Sequence, residues 1–291
     1  MRTRARSLVA AGAGVLAAAA LGSTLVSAAP AAAAPGDGLQ AVALAGQGQR
    51  LIGFSTATPG QNFGIGRITG LVGDTKLVGI DYRVLDGKLY GVGNQGGVYT
   101  VNDMTAAATR TSNPALPLDG SVAYGIDVNP AADALRVISA KGQNLRLPLA
   151  VAGSAATVDT PLTRPVVPTT NPPTSEPALG LTAAAYTNND VDTTTGTTLF
   201  DIDTSRDQVT IQAPANGGTT AATGALGVDF GVVTGFDIYA KLTNGKAGAL
   251  RSFAVSNDTL YSIDLLSGAA TSAGSVRDKT TTDFALRLVQ G

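Results

Sequence analysis

Four times along the chain one short phrase returns at roughly 50-residue spacing. It reads LVGIDYR around Gly79, VAYGIDVN around Gly125, TAAAYTN around Ala184 and VTGFDIY around Gly235. Each copy opens on a small residue inside an apolar run, then leads through a turn into two more β-like runs. A period of that length, with about four strand-length runs per unit, specifies small sheets repeated around an axis. The expected fold class is therefore all-β, a β-propeller.

Within each unit the strands can be placed. Residues 77–82 form an inner strand, Asp86-Gly87 a hairpin turn, and 88–92, 97–101 and 107–111 the strands outside it. The next unit runs 122–128, 135–139 and 144–149. A fourth runs 181–187, 198–202 and 208–212, and a fifth 233–239, 250–255, 259–265 and 270–273. Near the start, 41–45, 50–55 and 64–69 supply three strands with no inner one, while 284–289 is one strand without a sheet. If the last strand completes the first sheet, the ring closes at five blades and loses its open edges; six blades is the rival count. Alternation puts Val78, Ile80 and Tyr82 on one face and Leu77, Gly79 and Asp81 on the other. Glycine then falls where a neighbouring inner strand approaches most closely.

Residues 1–34 stand apart from the repeat. Arg2, Arg4 and Arg6 precede an Ala/Leu/Val-rich run and then small residues through Ala34, the pattern of a secretory signal peptide. Val26-Ser27-Ala28 is the expected cleavage region, and residues 35–291 form a single propeller domain. Localisation is expected to be secreted, extracellular or cell-surface, with no membrane attachment after cleavage. Losing the three arginines takes the net charge from −1 to about −4. No basic stripe appears, so nucleic acid is not an expected partner. Residues 161–177 (PLTRPVVPTTNPPTSEP) lack alternation and read as a Pro-rich surface loop of extended character.

Absences restrict the chemistry. The chain has no Cys, so an exported fold here relies on strand pairing and burial. It has no His, which excludes a Ser-His-Asp triad and the common zinc sites. Glu176 is the sole glutamate, which argues against a paired-Glu glycosidase.

Asp81, Asp127 and Asp237 are equivalent by repeat, with Tyr186 in the fourth position. Carboxylates at that place could surround a central channel and hold Ca²⁺ through oxygen ligands. Alternatively each accepts backbone N–H groups at a blade junction, and a repeated carboxylate in repeated surroundings favours this structural role. No other cofactor is expected. Asp201-Ile202-Asp203 with Asp207 lacks the glycine and closing Glu of a calcium loop and reads as turn chemistry. Arg136 and Arg146 lie on neighbouring strands and read as a solvated pair or a salt bridge to a nearby Asp. Gly91-Val92-Gly93 is followed by no helix and is no nucleotide fingerprint, and Gly217-Gly218 after Asn216 reads as a turn.

Several phrases together resemble one family: LVGIDYRVLDGKLYGVG (77–93), GIDVNPAADALRVIS (125–139), GQNLRLP (142–148), AAYTN (184–188), TTLFDIDTSRDQVTIQAPANGG (197–218), GFDI (235–238) and TLYSIDLLSGAAT (259–271). They are similar to the bacterial DUF4394 family of secreted, propeller-like proteins of unknown function. The resemblance covers nearly all of the mature chain and implies export and a repeated β fold. It brings no catalytic residues. After GQNLRL the family tends to continue with an Asn-Pro turn, where this chain has Pro148-Leu149. The expected function is a secreted, non-catalytic binding or interaction module whose partner is an extracellular protein or a small molecule. Alternatives are a Ca²⁺-dependent hydrolase using the channel aspartates, or a structural component of the cell envelope.

Overall fold

Alternating apolar runs broken by Gly, Asn and Asp turns build a closed ring of five sheets with four strands each. The computed structural model describes residues 38–166, 174–192 and 194–290. The expected signal segment 1–34 and the middle of the Pro-rich stretch lie outside the described residues.

Blade 1 contains β1 (Gln40–Ala45), β2 (Arg50–Ser55) and β3 (Thr58–Arg67). Blade 2 is β4 (Leu77–Tyr82), β5 (Leu89–Gly93), β6 (Val98–Val101) and β7 (Ala108–Arg110). Blade 3 is β8 (Tyr124–Asn129), β9 (Ala134–Ser139), β10 (Asn144–Pro148) and β11 (Thr157–Val158). A separate two-stranded ribbon follows, β12 (Thr163–Pro165) with β13 (Ser175–Pro177). Blade 4 is β14 (Leu181–Tyr186), β15 (Leu199–Asp203), β16 (Gln208–Gln212) and β17 (Thr220–Ala225). Blade 5 is β18 (Thr234–Thr243), β19 (Lys246–Ser256), β20 (Thr259–Ile263) and β21 (Ala270–Ser275). The last strand, β22 (Asp283–Leu286), pairs antiparallel with β1, Ala43 opposite Phe284, and becomes the inner strand of blade 1. The five-blade closure expected from the two chain ends is the one observed.

Burial is concentrated at the junctions between blades, where five apolar clusters lie. Ile80 and Tyr82 pack on blade 1 residues such as Leu44 and Leu51, and Ile126 and Val128 pack on Val92 and Val98 of blade 2. Phe54 and Phe284 of blade 1 meet Phe253 and Val255 of blade 5 across the closing junction, the two blade 1 rings 6.0 Å apart. The close-approach reading of the glycines also holds. A Cβ on Gly125 would lie 2.6 Å from the Ala184 nitrogen and 2.7 Å from the Ala183 carbonyl carbon.

Several expectations differ in detail. Val78 does not share a face with Ile80 and Tyr82. A bulge between Leu77 and Gly79 shifts the alternation, so Leu77 joins Ile80 and Tyr82 while Val78 packs on the blade 3 cluster. The outer strands β11 and β17 were not legible, because they are solvated edges with no apolar period. The β18–β19 hairpin runs well beyond residue 239, turning at Asn244-Gly245 with φ of 53° and 77°. Its distal half is exposed and so carries no burial pattern, although Asn-Gly is itself a hairpin signal. The ends of the 161–177 stretch pair as β12 and β13, tied by Arg164 to Glu176 at 3.2 Å and to Asp203 at 2.5 Å.

Candidate functional site

An innermost strand has a neighbour on one side only, so the amides facing the axis have no ladder partner and need acceptors. The repeated aspartates supply them. Asp81 accepts the Val128 amide of the next blade at 2.8 Å and the amide of its own neighbour Tyr82. Asp127 accepts the Tyr186 amide. Asp237 accepts Leu286 at 2.5 Å and its neighbour Ile238 at 2.6 Å. One step along the axis, Asp283 accepts Ile80 at 2.8 Å and its neighbour Phe284. Each aspartate therefore clasps the blade that follows it. Asp283 was missed because its strand, DFAL, has no small-X-Asp phrase.

These contacts also correct the repeat alignment. The bulge after Leu77 recurs after Leu181, so LTAAAY matches LVGIDY residue for residue. Ala185, not Tyr186, stands where the aspartates stand, and Tyr186 corresponds to Tyr82. By the same pattern Ala285 takes that place in blade 1, since the Leu286 amide is the one bonded to Asp237. Three blades of the ring carry the carboxylate and the remaining two carry alanine. At the blade 4–5 junction, where Ala185 faces the next sheet, a loop does the joining instead. Asn189 and Asp190 accept the Ala240 and Ala247 amides of the long hairpin.

The same geometry makes the carboxylates converge. One oxygen from each of Asp81, Asp127 and Asp237 lies within 4.8 Å of the others, and all three residues are buried. They border a cavity of about 10 Å³ that Tyr186 and Asn188 also line, the space of about one water. Burial pushes Asp81 well above the usual carboxylate range, with the charge of Asp237 adding to it. Asp127 is raised by burial, then by Asp81 and Asp237. Asp237 is pushed up to about 7 by burial, and Asp283 is raised by burial and then by Asp237. The amide donors oppose these shifts and are outweighed. An all-oxygen donor set of this kind suits a hard cation such as Ca²⁺; protons shared among the carboxylates meet the same electrostatic need.

The remaining sequence candidates separate from this centre. Arg136 is buried and bonds Asn144 at 2.6 Å, Asp159 at 2.8 Å, Asn216 at 2.6 Å and the Tyr186 hydroxyl at 3.2 Å. Arg146 reaches the same Asp159 at 3.2 Å, so the two arginines share one salt-bridge partner. Asp203 accepts Arg164 and the Ser205 amide, and Asp207, at φ 50°, accepts the Phe230 amide at 2.9 Å. Asp201 is fully buried and raised by desolvation. Gly91 and Gly93 lie within β5, and Gly218 at φ 66° ends a short 3₁₀ turn.

At the other end of the inner strands, where they begin, the ring opens into a cavity of about 260 Å³. Blades 1, 2, 3 and 5 contribute to its lining through Thr282, Lys76–Val78, Val122–Tyr124 and Val233–Thr234, and the β1–β2 turn adds Gln47. An adjoining depression of about 230 Å³ shares Gln47, Val233 and Thr282 and brings Asp258 and Lys279.

No curated protein sequence matches the chain. Among solved structures, similarity extends to a nidogen/laminin complex at 7% identity and TM-score 0.45, covering 87% of this chain and 100% of that one. An auxiliary nutrient binding protein from Bacteroides ovatus is similar at 12% identity and TM-score 0.42, covering 74% of this chain and 50% of that one. The chain thus spans half the length of that protein. A Myxococcus xanthus glutaminyl cyclase is similar at 14% identity and TM-score 0.36, with coverage of 72% and 69%. One family matches almost the whole ring, from Arg50 in β2 to Ala285 in β22: residues 50–285 place the chain in the family described as "Domain of unknown function (DUF4394)".

Proposed function

We propose that the chain is an exported, non-catalytic binding module that receives its ligand at the axial mouth where the inner strands begin. The observation that carries this reading is the cavity of about 260 Å³ formed there by several blades together. Concave sites that combine apolar walls with a few polar groups are the usual form of a small-ligand site. Its lining holds no paired acid and base and no activated nucleophile. Export is supported by the composition of residues 1–34, and intact-mass analysis of protein recovered from culture medium tests it. The binding test is ligand-observed NMR with mixed organic acids, sugars and amines against the wild type and Val122→Trp. Val122 is 79% exposed at the mouth, so an indole there covers the opening without entering the core. Binding of at least one class that the substitution abolishes is expected. If no probe distinguishes the two proteins, the mouth is not a binding site.

The convergence of Asp81, Asp127 and Asp237 within 4.8 Å supports a second reading, a Ca²⁺-dependent hydrolase. The space beside them, about 10 Å³, leaves no room for a substrate next to a metal. A cation at that place would tie blades together and would not polarise a substrate.

A further inference from the structure

We infer that the mouth of the ring selects a small organic anion, a carboxylate on a short branched aliphatic body. This rests on the reading of the mouth as the binding site and adds the class of ligand. Lys76 is the one charged residue in the lining, it is half-buried, and its ammonium has no ion pair or hydrogen-bond partner among the described residues. A cation without a counter-charge at the lip of a concave site attracts an anion and can pair with it. The nearby carboxylates are occupied elsewhere. Asp74 accepts the Tyr99 hydroxyl and the Gln95 amide, Asp119 accepts Ser139 and Ser121, and Asp283 holds Ile80. The Thr282 hydroxyl, also in the wall, is buried without a partner. It lies just before β22 of blade 1, the strand next to β4 of blade 2, which Lys76 precedes, so the two groups line adjacent parts of the wall.

The rest of the wall sets the body of the ligand. Val122 and Val233, 79% and 43% exposed, present apolar surface at the opening, and Val78, partly buried against the blade 3 cluster, adds to it. Branched valine side chains around an opening favour a compact aliphatic group. The volume of about 260 Å³ lies just below the range of roughly 300–1,000 Å³ typical of drug-sized ligands, which suits a small body. The adjoining lobe adds a second cation, Lys279, together with Asp258, so a ligand reaching into it would meet both signs of charge.

Isocaproate, isocaproamide and isohexylamine share one body and differ in the polar group. Each is titrated by calorimetry at low ionic strength into the wild type, Lys76→Gln and Val122→Trp. Isocaproate should bind about tenfold more tightly than the amide, the amine more weakly still, and Lys76→Gln should bring acid and amide within about twofold. Rising salt should weaken the acid alone. Equal binding of acid and amide, both lost in Val122→Trp, would overturn the ligand class and leave the mouth as a site. Failure of all three to bind in a Val122-dependent way would overturn class and site together.

Discussion

Neutralising Asp237 should flatten the way this protein's stability responds to pH. In the folded ring the Asp237 carboxyl is pushed up to about 7, against 3.8 in an ordinary setting. Burial is the main cause, for the side chain sits among other carboxylates with amides as its only donors. The folded state therefore holds this proton more tightly than the unfolded chain does. That contribution is present in full below the unfolded-state value of 3.8 and is lost as pH rises through about 7. At 1.36 kcal/mol per decade of proton affinity, the whole change is about 4 kcal/mol. This is a large part of the roughly 5–15 kcal/mol that holds a domain folded. Urea unfolding in the presence of EDTA, from about pH 4.5 to about pH 7.5, measures it. Wild-type stability should fall across that interval, and the difference from Asp237→Asn should change by about 2–4 kcal/mol. The substitution keeps one acceptor for the Leu286 amide but sets an NH₂ against one of the two amides, costing about 1 kcal/mol at every pH. Only the slope is diagnostic. Carboxylates lowered at turns, such as Asp264 beneath the Ser267 and Leu266 amides, are common to both proteins and cancel in the difference. Parallel profiles for the two proteins would refute the electrostatic account of the axial cluster.

Other perturbations follow from the same structure. Gly125→Ala drives a Cβ to 2.6 Å from a backbone nitrogen of blade 4 and should cost about 1–3 kcal/mol in urea unfolding; Gly64→Ala, with nothing within 4 Å, should change stability by less than about 0.5 kcal/mol. Phe284→Ala empties a side chain that is 1% exposed in the closing strand and should cost about 3–5 kcal/mol; a loss under about 1 kcal/mol would mean that β22 does not hold the ring shut. Millimolar Ca²⁺ at neutral pH should raise the calorimetric unfolding midpoint of the wild type and leave that of Asp237→Asn unchanged. An unmoved wild-type midpoint would remove calcium from the site.

The ring was legible because its inner strands repeat a pattern that sterics enforce. Small residues such as Gly79 and Gly125 must stand where the next blade's strand touches, and bulky ones such as Ile126 must stand behind them. Closure was legible as well, since a lone final strand and a sheet lacking one are complementary. Outer strands were obscure where solvent replaces packing, as along TAATGA in β17. The Tyr186 alignment slipped by one because three consecutive alanines, 183 to 185, hide the register that a glycine would mark. The structure resolved it through the shared bulge and the amide bonded to Asp127. The mouth was not legible in the sequence: Val122 and Val233 open two of the repeated phrases, but Gln47, Lys76 and Thr282 lie outside them, and only the ring brings the five together.

Why three aspartates and two alanines occupy one height of the ring can be argued from the donors there. The strand-facing amides at that level belong to Tyr82, Val128, Tyr186, Ile238 and Leu286, and the aspartates engage all of them. Asp81 takes Tyr82 and Val128, Asp127 takes Tyr186, and Asp237 takes Ile238 and Leu286. Where the preceding blade has an aspartate, it takes the next blade's amide; where the preceding blade has Ala185 or Ala285, the local aspartate turns back to its own neighbour. A fourth carboxylate would find every donor already used while adding charge to a buried cluster. Ala185→Asp should therefore destabilise the ring by about 3 kcal/mol or more at neutral pH and by distinctly less near pH 5, where the cluster can take up a proton. A substituted ring as stable as the wild type at neutral pH would show that the aspartates stand in excess of what their amides require.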